Sequence, residues 1–222
     1  MHAIAIDGPA GAGKSTMAKA VSKALNYVYV DTGAIYRTLG CHYEMLGIGP
    51  KDADGITRLI GDAYIEARYT EQGEQRMFLN GEDVTGLLRT PEISDYASKI
   101  SAFPVVREYL LDMQRQIARE HNVVMDGRDI GTVVLPDAEL KIFLTAAPEE
   151  RARRRYEELR LKDPKTSYEK VYQDLLQRDQ QDTTRKIAPL RKASDAVELD
   201  TTHLSIEESV EAILKLAQEK IR

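Results

Sequence analysis

The stretch Gly8-Pro9-Ala10-Gly11-Ala12-Gly13-Lys14-Ser15, followed by Thr16, has the spacing GxxxxGK[ST]. Glycines there let the backbone curl until successive amides point inward, and a helix opening at the lysine adds partial positive charge at the same place. Such a cradle suits the phosphates of a nucleoside triphosphate. On that reading Lys14 bridges the β and γ phosphates, Ser15 ligates Mg²⁺, and Thr16 contacts the α phosphate. Val123-Val124-Met125-Asp126 is an apolar run closed by a carboxylate, which could hold the magnesium shell through water. Strand-terminal aspartates also serve as caps and turn formers, and the phosphate loop is what favours the chemical role. No Asn-Lys-x-Asp guanine-reading motif occurs, which argues against a GTPase.

Other charged groups gather further along. Asp31-Thr32-Gly33-Ala34-Ile35-Tyr36-Arg37 and Asp126-Gly127-Arg128-Asp129-Ile130-Gly131 each follow an apolar run. Arg178, Asp182 and Arg185 are spaced i, i+4 and i+7, so on one continuing helix they share a face. An exposed ion pair is the plainer meaning of that spacing. Arg151, Arg153, Arg154 and Arg155 form a dense run. Arg151 and Arg155, one helical turn apart, are the pair best able to face one ligand, although most such runs are solvated helix faces.

The elements that must position these groups are legible in outline. Residues 3–7, 27–30, 123–125, 140–144 and 196–199 read as short apolar strands separated mostly by helical segments. Continuous apolar strands alternating with helices predict a parallel five-stranded sheet covered on both faces, the doubly wound α/β arrangement of phosphate-loop NTPases, with ligands at the carboxyl ends of the strands. Pro104 suits a first helical position, with Val106, Tyr109, Leu110, Met113 and Ile117 as the buried stripe and Arg107 beside it. Ser205 and Glu208 predict a capping box, after which Ile206, Val210, Ile213, Leu214, Ala217 and Ile221 mark the buried face of a last helix. Alternation of Ile65, Ala67 and Tyr69, then Met77 and Leu79, with turns at Gln72-Gly73 and Asn80-Gly81, predicts a small antiparallel insertion. Residues 161–167 read as a mobile connection between two helices.

Composition agrees with an ordinary globular chain of 222 residues, 42% hydrophobic and 30% charged. A formal net charge of −5 disfavours a nucleic-acid backbone or an anionic membrane as partner. The first residues lack a basic region followed by a long apolar stretch, so a cytoplasmic protein is expected. The single cysteine, Cys41, reads as a structural thiol.

The phosphate loop, the two strand-end clusters, residues 98–107, and residues 178–185 followed by Ala188-Pro189-Leu190 closely resemble bacterial-type cytidylate kinase, essentially end to end. The resemblance implies a sheet core (about 1–36, 104–150 and 186–222), a monophosphate-binding region enlarged by the insertion (about 37–103), and a helical, arginine-bearing lid (about 151–185) that closes over ATP. It implies transfer of the γ-phosphoryl group of ATP to CMP, and to dCMP, with Mg²⁺, by a monomer acting in pyrimidine nucleotide metabolism. By similarity Arg37, Arg128 and Arg185 hold the acceptor phosphate, with Thr32, where the family motif usually has serine, and Asp126 lining that pocket. Arg178 and Asp182 address the ribose, Ser98, Arg107 and Asp129 read the base, and Lys14, Arg128 and Arg185 carry the catalytic charge. Another monophosphate kinase, for UMP or dTMP, would share the loop and fold, whereas a nucleotide-dependent switch would need no second arginine-lined pocket.

Overall fold

The computed structural model describes residues 1–161 and 163–221; Lys162, part of the connection expected at 161–167, and Arg222 lie outside the described residues. The chain begins β1 (Ala3–Asp7), α1 (Lys14–Leu25), β2 (Val28–Asp31), α2 (Thr32–Met45) and α3 (Ala53–Leu59). It continues through β3 (Ile65–Tyr69), β4 (Gln75–Leu79), β5 (Glu82–Asp83), α4 (Pro91–Ile100), α5 (Pro104–Glu120) and β6 (Val123–Gly127). A single wide turn at Ile130–Val134 precedes β7 (Leu140–Thr145), α6 (Pro148–Arg160), α7 (Tyr168–Thr184), β8 (Val197–Asp200) and α8 (Ile206–Lys220).

β2, β6, β1, β7 and β8 lie in that spatial order, every adjacent pair parallel. The pleat divides β1 between two cores: Ala5 packs in the cluster with Val30, Ile35, Val106 and Met125, while Ile4 and Ile6 pack with Met17, Val21, Ile142 and Ile213. Burial on both faces explains why the strands read as unbroken apolar runs. The register is what builds the site, because Asp31 stands opposite Asp126 and Asp7 opposite Gly127, so three carboxylate-bearing strand ends finish at one edge.

The expected insertion is present as β3, β4 and β5 in antiparallel order, with Asn80 (φ 51°) and Gly81 (φ 88°) making the left-handed turn between the last two strands. Met77 and Leu79 bury its inner face against α2. Ser205 and Glu208 form the capping box of α8 as expected. Two details of the helices depart from expectation. On α5 the inward face includes Arg107 and Gln114, whereas Tyr109 is 37% exposed and donates its phenol to the carbonyl of Ala63. On α8 Ser209, Ile213 and Ala217 meet the core at i, i+4 and i+8, and Ile206 is 51% exposed.

Candidate active site

After β1 the chain leaves the sheet through the glycine-rich loop, and the departure leaves room for little else. A Cβ added at Gly8 would lie 2.1 Å from the carbonyl oxygen of Leu144. The loop ends at Gly13, which caps α1 with φ 89° and no side-chain bond among the described residues, so the first amides of α1 are free to meet an anion. The ammonium of Lys14, 6% exposed, donates to the carbonyl of Pro9 at 2.7 Å. Burial first, and then the guanidinium of Arg128, pull its pKa well below the usual lysine value.

Next to the loop, the hydroxyl of Ser15 donates to Oδ2 of Asp126 at 2.9 Å, and the phenol of Tyr29 on β2 donates to Oδ1 at 2.9 Å. Burial pushes Asp126 up to about 6, with neighbouring Asp31 adding to the shift and Lys14 opposing it. Hydroxyl and carboxylate oxygens side by side suit a hard cation such as Mg²⁺. Among the described residues no group of three or more His, Cys, Asp or Glu could hold a metal alone. Thr16, one step further along α1, is exposed.

The arginines converge on the same edge. Arg37 pairs with Asp31 at 2.9 Å, while Asp31 also caps α2 by accepting the amide of Ala34 at 2.8 Å. Arg128 pairs through Nε with Asp182 at 2.7 Å. Arg107 is buried in an ion pair with Asp129 and donates to the carbonyl of Ser101 at 3.2 Å. Arg185 donates from Nε to the carbonyl of Ala188 at 2.6 Å and lies 3.6 Å from Asp129 and 3.7 Å from Asp182. Arg178 is pulled down to about 10, by burial first and then by the like charge of Arg128, and it stays a cation at neutral pH. Nε of Arg37, Nε of Arg178 and Nη2 of Arg185 are buried without a hydrogen-bond partner among the described residues. Buried unpaired guanidinium nitrogens are costly, and phosphate oxygens are their natural complement.

Several placements differ from the sequence expectation or add to it. α7 ends at Thr184, and Arg185 caps it with extended backbone at ψ 141°. Arg178 and Asp182 therefore share a helical face, but Arg185 reaches the cluster from beyond the helix. Arg151, 4% exposed, turns onto the phosphate loop and donates to the carbonyl of Ala10 at 2.9 Å. Arg155 does not join it there, being exposed and paired with Glu158 at 2.6 Å. The hydroxyl of Thr32 donates to the carbonyl of Asp126 at 2.7 Å. Ser98 is half-buried on α4.

Residues not singled out from the sequence also build the site. The carboxylate of Asp7 accepts the amides of Ile130 and Gly131, each at 2.7 Å, and so anchors the segment that carries Arg128 and Asp129. Gln75 on β4 grips the backbone of Asp31, accepting its amide at 2.8 Å and donating to its carbonyl at 3.3 Å. A strand-ending acid and a tyrosine inside an apolar strand were the available signals for Asp7 and Tyr29; Gln75 offered none.

Comparison with known proteins bears on this arrangement. The sequence model of the family described as cytidylate kinase matches residues 4–219. A protein named cytidylate kinase from Carboxydothermus hydrogenoformans is 52% identical over 217 residues, covering 98% of this chain and 97% of its own. One of the same name from Caldicellulosiruptor bescii is 49% identical over 213 residues, covering 96% and 94%. A crystal structure of an uncharacterized protein from Eubacterium ventriosum shares the fold, with a TM-score of 0.53 at 11% identity over 98% of this chain and 99% of that one. Identity near one half, sustained along almost the whole of both partners, leaves one conclusion: this chain belongs to the cytidylate kinase family.

Proposed function

We propose that the protein transfers the γ-phosphoryl group of ATP to CMP, and to dCMP, producing ADP and the corresponding diphosphate. One observation carries the reading: Lys14 of the phosphate loop is buried, and on the acceptor side nitrogens of Arg37, Arg178 and Arg185 are buried without a hydrogen-bond partner among the described residues. Assembling buried like charges is unfavourable, and two polyanionic ligands meeting end to end would offset it.

In this account Gly8 to Thr16 cradle the triphosphate, and Ser15 and Asp126 are the residues that would hold Mg²⁺. When bound, Mg²⁺ neutralises charge on the phosphate oxygens. Lys14, Arg128 and Arg185 stabilise the charge that spreads over the transferring group, while Arg37 orients the acceptor phosphate. No side chain need act as general base, because the attacking atom is already a phosphate oxyanion. Thr32 and Asp126 border the acceptor pocket, and Arg178 and Asp182 take the ribose. Arg151 and Arg155, on α6, belong to a lid formed with α7 that excludes water as a competing acceptor.

Asp129, Arg107 and Ser98 would read the base. Cytosine offers an amino donor at position 4 and acceptors at its ring nitrogen and 2-carbonyl, which a carboxylate and an arginine complement. Uracil would set a carbonyl against Asp129 and a ring N–H against Arg107, leaving buried groups mispaired. The enzyme is further proposed to work as a cytoplasmic monomer in pyrimidine nucleotide metabolism; its net charge of −5 favours small-molecule partners over nucleic acid.

An ADP-release assay over a panel of monophosphates tests this. CMP and dCMP should be turned over, with UMP poorer by roughly a hundredfold. Arg185→Ala should lower kcat by about a hundredfold while leaving ATP affinity nearly intact. Equal turnover of UMP and CMP would remove the base-reading assignment, and unchanged kcat would remove Arg185 from the transfer.

A further inference from the structure

Asp179 stands beside Arg178 on α7 but points its carboxylate at the phosphate loop. Its Oδ1 accepts the amide of Ala10 at 3.3 Å, and its Oδ2 accepts Nη1 of Arg151 at 2.6 Å. The same Nη1 donates to the carbonyl of Ala10 at 2.9 Å, and Nε of Arg151 is fixed on the carbonyl of Ala146 at 2.9 Å. One aspartate and one arginine, from two different helices, thus take both polar groups of a single loop residue. Packing reinforces the junction: a Cβ at Gly11 would lie 3.2 Å from Cβ of Arg151 and 3.3 Å from Cδ1 of Leu175, so α6 and α7 bear directly on the loop.

A carboxylate on a phosphate-loop amide occupies a donor of the kind that binds anionic phosphate. Two anions drawing on one amide oppose each other by charge as well as by occupancy. We propose that Asp179 is a positioning residue that competes with the terminal phosphate of ATP for the amide of Ala10, and so links occupation of the loop to the placement of α7. The inference rests on the assignment of ATP to this loop and CMP to the arginine cluster. Because α7 also carries Arg178 and Asp182, release of Asp179 by ATP alters how the acceptor is held. Linkage is reciprocal, so the contact weakens ATP binding to the extent that ATP loosens the contact.

The test is calorimetric binding of a non-hydrolysable ATP analogue and of CMP, separately and together, to wild type and Asp179→Ala. The variant should bind the analogue about fivefold or more tighter, while the effect of the analogue on CMP affinity, about fivefold or more in wild type, falls to none. Asp179→Asn keeps an acceptor for the amide but loses the charge, and should lie between the two. A merely structural aspartate would weaken both ligands together and leave their interdependence unchanged. Wild type that fails to bind the analogue or CMP overturns the site assignment and this proposal with it. Wild type that binds both, with variants showing no gain for the analogue or an unaltered interdependence, overturns the role of Asp179 alone.

Discussion

Asp7 illustrates how a single carboxylate can serve the site without touching it. Both of its oxygens are engaged by the amides of Ile130 and Gly131, immediately after Asp129, and burial pushes its pKa from 3.8 up to about 6. A folded pKa above the unfolded one means that the folded chain holds the proton more tightly. The stability this contributes is fully present below about pH 4 and is lost as pH rises through about 6. Asp7→Asn removes that titration, although the amide can accept only one of the two N–H groups and is less stable overall. Between about pH 4 and about pH 7 the unfolding free energy of wild type should therefore fall relative to the variant by on the order of 2 kcal/mol. Urea unfolding across that range reads the difference, and a gap independent of pH would show that Asp7 is ionised throughout.

At the scale of elements, the insertion β3–β5 touches the acceptor edge through Gln75, whose amide matches the peptide of Asp31 as a neighbouring strand would. Asp31 in turn caps α2 and holds Arg37. Gln75→Ala should raise the KM for CMP by about threefold to tenfold and leave the KM for ATP unchanged, because the lost bonds lie on the acceptor side only. A rise shared equally by both substrates would place the insertion elsewhere in the mechanism. Elements of this kind were partly legible in the sequence. Asn80-Gly81 announces its left-handed turn, and the apolar runs of β1 and β6 announce burial on both faces. The capping box of α8 is readable because it is local. What escaped reading depends on residues far apart in the chain: Gln75 on Asp31, Asp179 on Ala10, Tyr29 on Asp126. Periodicity marks which face of a helix is buried but not what it meets, so Arg107 looked like a neighbour of the stripe and is instead buried against Asp129. The expected helical face for Arg185 failed because helix ends are set by capping, and α7 stops one residue short.

Across the whole molecule, the parallel order β2-β6-β1-β7-β8 puts the ends of three adjacent strands on one line. The donor loop follows β1, and the acceptor-side Arg37 and Arg128 follow β2 and β6, with β6 central among the three. α6 and α7 bring Arg151 and Arg178 over the same edge from a distant part of the chain. Cations thus gather at this edge, and buried guanidinium nitrogens among them lack partners among the described residues. On the proposed function two anionic nucleotides meet there head to head, which a molecule joining adenosine and cytidine through a polyphosphate bridge tests most directly. Titrated calorimetrically, it should bind once per chain, exclude both ATP and CMP, and lose affinity in both Lys14→Met and Arg185→Ala. A complex that still admits CMP alongside the bridged ligand, or that is indifferent to either substitution, would contradict a shared cleft.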